Sequence, residues 1–290
     1  MSDERITVGA RERAALIGEA DGERRPATQL WKRLSRLDAW ALPVAALAVW
    51  EVLSRLGLIS PFLMPAPSTI LGTLSDLAAS GTLMQHLQAS LVRVTIGFLL
   101  GTLLALPLAT LVGLSRPVER LLDPTIQALR SIPSLAWVPL LLLWMGIDEA
   151  PKLTLIAIGA FFPIYMNAVA GIRGVDRKLV EIGQVYRFSP LKLARRIIIP
   201  AALPSLLTGL RLGLGMSWLY LVAAELIAAT RGIGYMLSDG RETSRPDIVL
   251  GAILLLAALG KLSDGLLKWL EGRLLRWRDS FTGGDANASD

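Results

Sequence analysis

Six apolar runs, each near the length that crosses a bilayer, constrain this chain more than any other feature: 39–57, 92–114, 132–147, 152–171, 203–229 and 247–270. About 20 apolar residues rising ~1.5 Å each cover the ~30 Å hydrocarbon layer. Backbone N–H and C=O groups find no water there, so each run must satisfy its own hydrogen bonds and folds as a helix. The sequence therefore predicts an all-α integral membrane protein with six transmembrane helices. The third run contains Pro133 and Pro139 and is expected to cross as one kinked span, its freed backbone groups satisfied by neighbouring helices. Composition agrees, with 53% hydrophobic and 19% charged residues among 290.

Charge fixes an orientation. Outside the runs, Lys and Arg fall 21 to 4 on alternate segments; the N-terminal stretch holds eight, 172–202 holds seven and 58–91 none. The positive-inside rule then places both termini and 172–202 in the cytoplasm. The net charge of +6 is thereby assigned to cytoplasmic segments rather than to a nucleic-acid surface. Residues 1–37 mix both charge signs and read as a disordered cytoplasmic tail, as do 279–290, leaving 38–278 as the membrane domain. The first apolar run lies too far from Met1 for a cleaved signal peptide. Between the first two runs, PAPSTILGTLSDLAASG predicts a helix opened by Pro67 and Ser68 and closed by Gly81 on the outer face.

Chemistry is sparse. The chain has no cysteine and one histidine, His86, too few groups for a metal site. A phosphate-binding loop needs Gly-x-x-x-x-Gly-Lys-Ser/Thr. The only Gly-Lys, Gly260-Lys261, is followed by Leu262 and has Leu255 at the first glycine position. ATP chemistry is not expected on this chain, nor is a nucleophile and base arrangement evident near the runs. No catalytic residue and no bound cofactor is assigned.

The basic stretch 172–202 interrupts this apolar pattern. Asp176 is placed to cap a helix through RKLVEIGQVYR, with Leu179, Ile182 and Tyr186 on one side. Ser189 as N-cap and Pro190 in the first turn begin a second helix, LKLARRIII, expected to end at Pro200. One reading is an interfacial helix held on anionic lipid by Lys192, Arg195 and Arg196.

The residues also carry a resemblance. Glu181, Ile182 and Gly183, then Ile197, Ile199 and Pro200, fall at the spacing of the EAA loop of ABC importer permeases. Ile182 and Gly183 stand for its alanines, Ile199 for its leucine and Arg187 for its glycine. The segments MPAPSTIL, ERLLDPTIQALRSIPSLAWVPLLLLWMGIDEAPK, FFPIYMNAVAGIRGVDRKLVEIG and PAALPSLLTGLRLGLGMSWLYLVAAELIA extend the likeness over about residues 40–280, to the group that serves aliphatic sulfonates, taurine and nitrate. The resemblance implies a homodimer of permeases in a bacterial inner membrane, two cytoplasmic ATPase subunits that bind ATP and Mg, and an extracytoplasmic solute-binding protein. It also makes the helix pair an ATPase-coupling element built on Glu181, Ile182, Gly183, Arg187, Ile197 and Pro200. Because a left-handed backbone costs a residue with a Cβ about 1 kcal/mol or more, the first helix is expected to continue through Arg187, with the reversal at Phe188 and Ser189.

Polar residues inside spans are candidates for the translocation path. Arg211, Trp218 and Asn167 are named for it, against alternatives in which Arg211 pairs with a carboxylate and tryptophans, including Trp137 and Trp144, form an interfacial belt. Glu225 is expected as a structural pair, and Gly209, Gly213 and Gly215 as sites of close helix approach. A secondary transporter is the competing class, but no self-similarity between the halves supports it.

Overall fold

The computed structural model describes residues 27–275. The expectations for 1–26 and for the C-terminal tail lie outside the described residues. Among the described residues all regular structure is helical. Residues up to Ser68 form one compact unit, and those from Thr69 onward another.

In the first unit, helix α1 spans Ala27–Arg55, so helix begins about ten residues before the expected end of the tail at 37. The Glu51 carboxylate near its end accepts from Arg55 Nε at 2.5 Å and from the Ser68 backbone N–H at 3.0 Å, fixing the loop that follows. Helix α2, Pro67–Ala79, starts with proline in its first turn as expected, and Gly81 beyond it takes φ 76°. That left-handed residue reverses the chain into the next helix.

The second unit is organised around α6, Glu149–Arg173, which packs between α3, Thr82–Leu114, and α9, Ile199–Ala228. The buried core between α3, α4 (Arg116–Ser131) and α6 is made of Ala105, Ala109, Val112, Ile126, Ala160, Ile164, Tyr165 and Ala168. Small residues bring the helices into backbone contact. A Cβ at Gly101 would lie 2.6 Å from the Ala157 carbonyl oxygen, and one at Gly213 2.7 Å from Ile164 Cγ1. Without a hydrophobic driving force between helices in lipid, such close packing supplies the attraction. Gly209 is packed similarly against Asn167, whereas Gly215 meets nothing. Helices α10, Ile233–Glu242, and α11, Pro246–Leu274, complete the unit.

Two expectations are corrected. The third apolar run is not one continuous kinked helix. Ile132 and Pro133 take extended backbone, separating α4 from a short 3-10 turn at Ser134–Trp137 and α5, Val138–Met145, with an 88° bend. Proline disfavours helical backbone in the residue before it, and at Ile132 that bias prevails. Among the described residues four helices are long and apolar enough to cross a membrane, five if the bent pair counts as one. The run at 39–57 lies in α1 as far as Arg55.

The second correction concerns Pro200. Helix α8, Pro190–Leu193, does not stop there but passes through a π turn, Ala194–Ile198, straight into α9. In that wider turn Ile199 N–H bonds to the Ala194 carbonyl. The turn accommodates Pro200, which has no N–H to donate and whose ring crowds the preceding turn of a normal α-helix.

Candidate functional site

The basic helix pair is built largely by local rules. Helix α7, Arg177–Val185, is capped by Asp176, whose carboxylate accepts from Lys178 N–H at 2.9 Å. Ser189 caps α8 through Lys192 N–H. The two helices cross at Gly183, where an added Cβ would lie 2.8 Å from Ile197 Cδ1 and would collide with Leu193. Buried Gly183 and half-buried Ile197 thus form the joint. Glu181, Ile182, Val185 and Tyr186 remain exposed, Glu181 pairing with Arg177 at 3.1 Å. An apolar rim next to a charge, unpartnered on the outside of the unit, is the composition of a docking surface.

Arg187 departs from expectation. Its φ is 53°, left-handed. Arg187 N–H bonds to Gln184 O at 2.8 Å and Phe188 N–H to Gly183 O at 3.0 Å. This is the paired 5→2 and 6→1 bonding of a Schellman motif, which satisfies two carbonyls at the end of α7. Those two bonds offset the strain of a Cβ in the left-handed region. Phe188 is further held by Lys192, whose ammonium lies 4.3 Å from the ring centroid.

Of the candidate path residues, Arg211 and Trp218 share the face of α9 that meets α11, whereas Asn167 lies on α6. Arg211 Nε meets Asp264 at 3.0 Å and its Nη1 meets Glu271 at 3.1 Å, both on α11. Trp218 is buried and donates to Ser263 Oγ at 2.9 Å. Asn167 stands elsewhere, in an open cavity of about 340 Å³ shared with Arg130, Ser134, Met216 and Tyr220.

A third polar cluster was missed in the sequence apart from one member. Glu225, 1% exposed, accepts from Ser90 Oγ at 2.8 Å, Arg93 Nη1 at 2.8 Å and Gly234 N–H at 2.7 Å. Arg93 also grips Glu149 with Nε and Nη2 at 2.7 and 2.8 Å, and Lys152 reaches the same carboxylate at 2.9 Å. The chain enters α10 through Gly232, whose φ of 134° and contact with the Glu225 carboxylate both exclude a side chain. His86 accepts from Gly232 N–H at 3.1 Å and so serves packing. The cluster ties α3, α6, α9 and α10 together. The available signal was Arg93 itself, a charge one residue inside an apolar run.

Comparison with known proteins places this arrangement. Residues 94–276 match the family model described as binding-protein-dependent transport system inner membrane component. The chain is 45% identical to the aliphatic sulfonates transport permease protein SsuC of Bacillus subtilis, over 87% of this chain and 91% of that one. It is 46% identical to the SsuC protein of Escherichia coli, over 88% and 97%, and 40% identical to the taurine transport system permease protein TauC of Escherichia coli, over 80% and 86%. Among solved structures, a chain of the MetNI methionine ABC transporter in inward-facing conformations superposes with a TM-score of 0.54 at 17% identity, over 64% of this chain and 95% of that one. That likeness concerns fold alone. Matched through most of its length by sequence and by helix arrangement, the chain belongs to the family of binding-protein-dependent transport system inner membrane components, the multi-pass permeases of ABC importers.

Proposed function

We propose that this permease imports aliphatic sulfonates. The observation that carries the reading is the identity of 45–46% to two sulfonate permeases across nearly the whole of each chain. In this reading two copies pair in a bacterial inner membrane, each crossing six times with both termini in the cytoplasm, the run at 39–57 and the bent α4–α5 pair supplying the first and third crossings. Two ATPase subunits bind ATP and Mg and hydrolyse the nucleotide, and an extracytoplasmic binding protein delivers the solute. The permease itself is not catalytic.

The α7–α8 pair is the ATPase-coupling element. Glu181 and Ile182 contact the ATPase, while Gly183, Arg187, Ile197 and Pro200 shape the pair and transmit its movement. Support comes from the exposed apolar rim and from the unbroken path Pro190–Ile227, which joins the pair to a membrane helix with no flexible segment between them. A rigid lever of this kind converts ATPase closure into tilting of the bundle.

The test is uptake by proteoliposomes holding the permease, its ATPase and its binding protein. ATP-dependent accumulation of an alkanesulfonate, outcompeting taurine and nitrate, is the expected result. Accumulation of taurine without alkanesulfonate would transfer the assignment to the relative at 40% identity.

A further inference from the structure

Polar groups on α9 segregate by face. Arg211, Trp218 and Glu225 are each engaged, by Asp264 and Glu271, by Ser263, and by Arg93. The opposite face carries Leu212, Met216 and Tyr220 and borders the open cavity of about 340 Å³. Arg130 lines that cavity from the last turn of α4, directly before the 88° break. Among the described residues it makes no ion pair. The remaining wall comes from the central turns of α6 and α9, two helices apolar enough to cross the membrane. The Arg130 side chain is exposed and leaves its guanidinium available to a ligand of opposite charge.

Beside this cavity lies a second one, of about 300 Å³, lined by Leu104, Leu129, Trp137 and Phe161. Ile158 and Phe162 belong to both and form the ridge between them. One cavity is cationic and hydrogen-bonding, its neighbour apolar, and each has the volume of a small-molecule site.

We propose that the pair forms an intramembrane site for an amphiphilic anion, the charged head held at Arg130 and the alkyl chain lying over the Ile158–Phe162 ridge toward Trp137. A guanidinium fork matches two oxygens of a sulfonate or carboxylate. Asn167 Nδ2 gives one hydrogen to Pro163 O at 2.8 Å and keeps the other for the ligand. Ser134 and Tyr220 add hydroxyls at the wall. The identification of the head as a sulfonate rests on the function proposed above; the anion site does not.

The chain has no cysteine, so Ser134→Cys supplies a single thiol at the cavity wall. In the reconstituted transporter, its rate of modification is measured with 2-sulfonatoethyl methanethiosulfonate, itself an alkanesulfonate, and with the trimethylammonium analogue, each normalised to its rate with a free thiol. The anionic reagent should be favoured by at least about tenfold, the scale on which a charged cleft concentrates counter-ions. Arg130→Gln should abolish the preference, Arg130→Lys should retain most of it, and hexanesulfonate should slow the labelling. Equal normalised rates, a preference that survives Arg130→Gln, or no reaction in either nucleotide-free or ATP-bound transporter would overturn the site, even if the wild type imports sulfonates. An intact preference in a transporter that imports no sulfonate would instead refute the solute assignment and leave the anion site standing.

Discussion

Removing the Glu225 carboxylate is the sharpest test of what holds the bundle together. Three donors converge on it in a setting where neither it nor Arg93 is more than 6% exposed. In Glu225→Ala the Gly234 N–H loses its acceptor, a loss of about 1–3 kcal/mol for a buried group. Ser90 can turn its hydroxyl elsewhere. Arg93 keeps its two-pronged contact with Glu149 and its bond to the Arg231 carbonyl, so its charge is not stranded. The total falls near the lower end of the 3–5 kcal/mol typical of breaking a buried pair, about 3 kcal/mol. At ~2–4 °C per kcal/mol this lowers the melting temperature of the detergent-solubilised permease by about 10 °C. Thermal unfolding followed by tryptophan fluorescence reads the shift. Glu225→Gln, which keeps an acceptor for Gly234, should lose less than half as much, and Glu225→Met combined with Arg93→Met should recover part of the loss because the desolvation cost of both charges disappears. An alanine variant that melts within about 2 °C of the wild type would show that the cluster contributes little to stability.

Other consequences are directly measurable. Glu181→Lys should leave membrane insertion intact while ATPase co-purification and uptake fall together, a reversed charge at an interface costing about 2–5 kcal/mol; unimpaired uptake would remove the coupling role. In this cysteine-free chain, Ser80→Cys should react with an impermeant thiol reagent from outside and Ser189→Cys should not, and the opposite pattern would invert the orientation. Arg187→Gly relieves a left-handed side chain worth about 1 kcal/mol, so the α7–α8 turn should become slower in amide exchange, with uptake maintained. Loss of uptake with a more stable turn would show that the guanidinium itself contacts the ATPase.

Local signals were legible wherever one residue decides the outcome. Asp176 and Ser189 cap their helices and Pro67 opens α2, as the sequence leads one to expect, because a cap depends only on the few residues around it. Arg187 shows the limit of the same reasoning. A Cβ makes the left-handed region unfavourable, yet two carbonyls of α7 needed donors, and the balance between these opposed terms could not be read from residue type alone. At Pro200 the sequence predicted a stop, but a π turn absorbed the missing N–H and carried the helix onward.

The sequence by itself determined that this is a helical membrane protein, because hydrocarbon leaves a long apolar run no alternative to internal hydrogen bonding. It also marked the basic helix pair as distinct from the spans. Tertiary structure alone decided which charges are neutralised. Arg211 finds Asp264 and Glu271 more than 50 positions away, and Arg93 finds Glu149 and Glu225. Arg130, equally basic in the sequence, borders an open cavity without a carboxylate partner among the described residues. Charge is a property of a residue, but its compensation depends on distances set by how helices far apart in the chain come to pack.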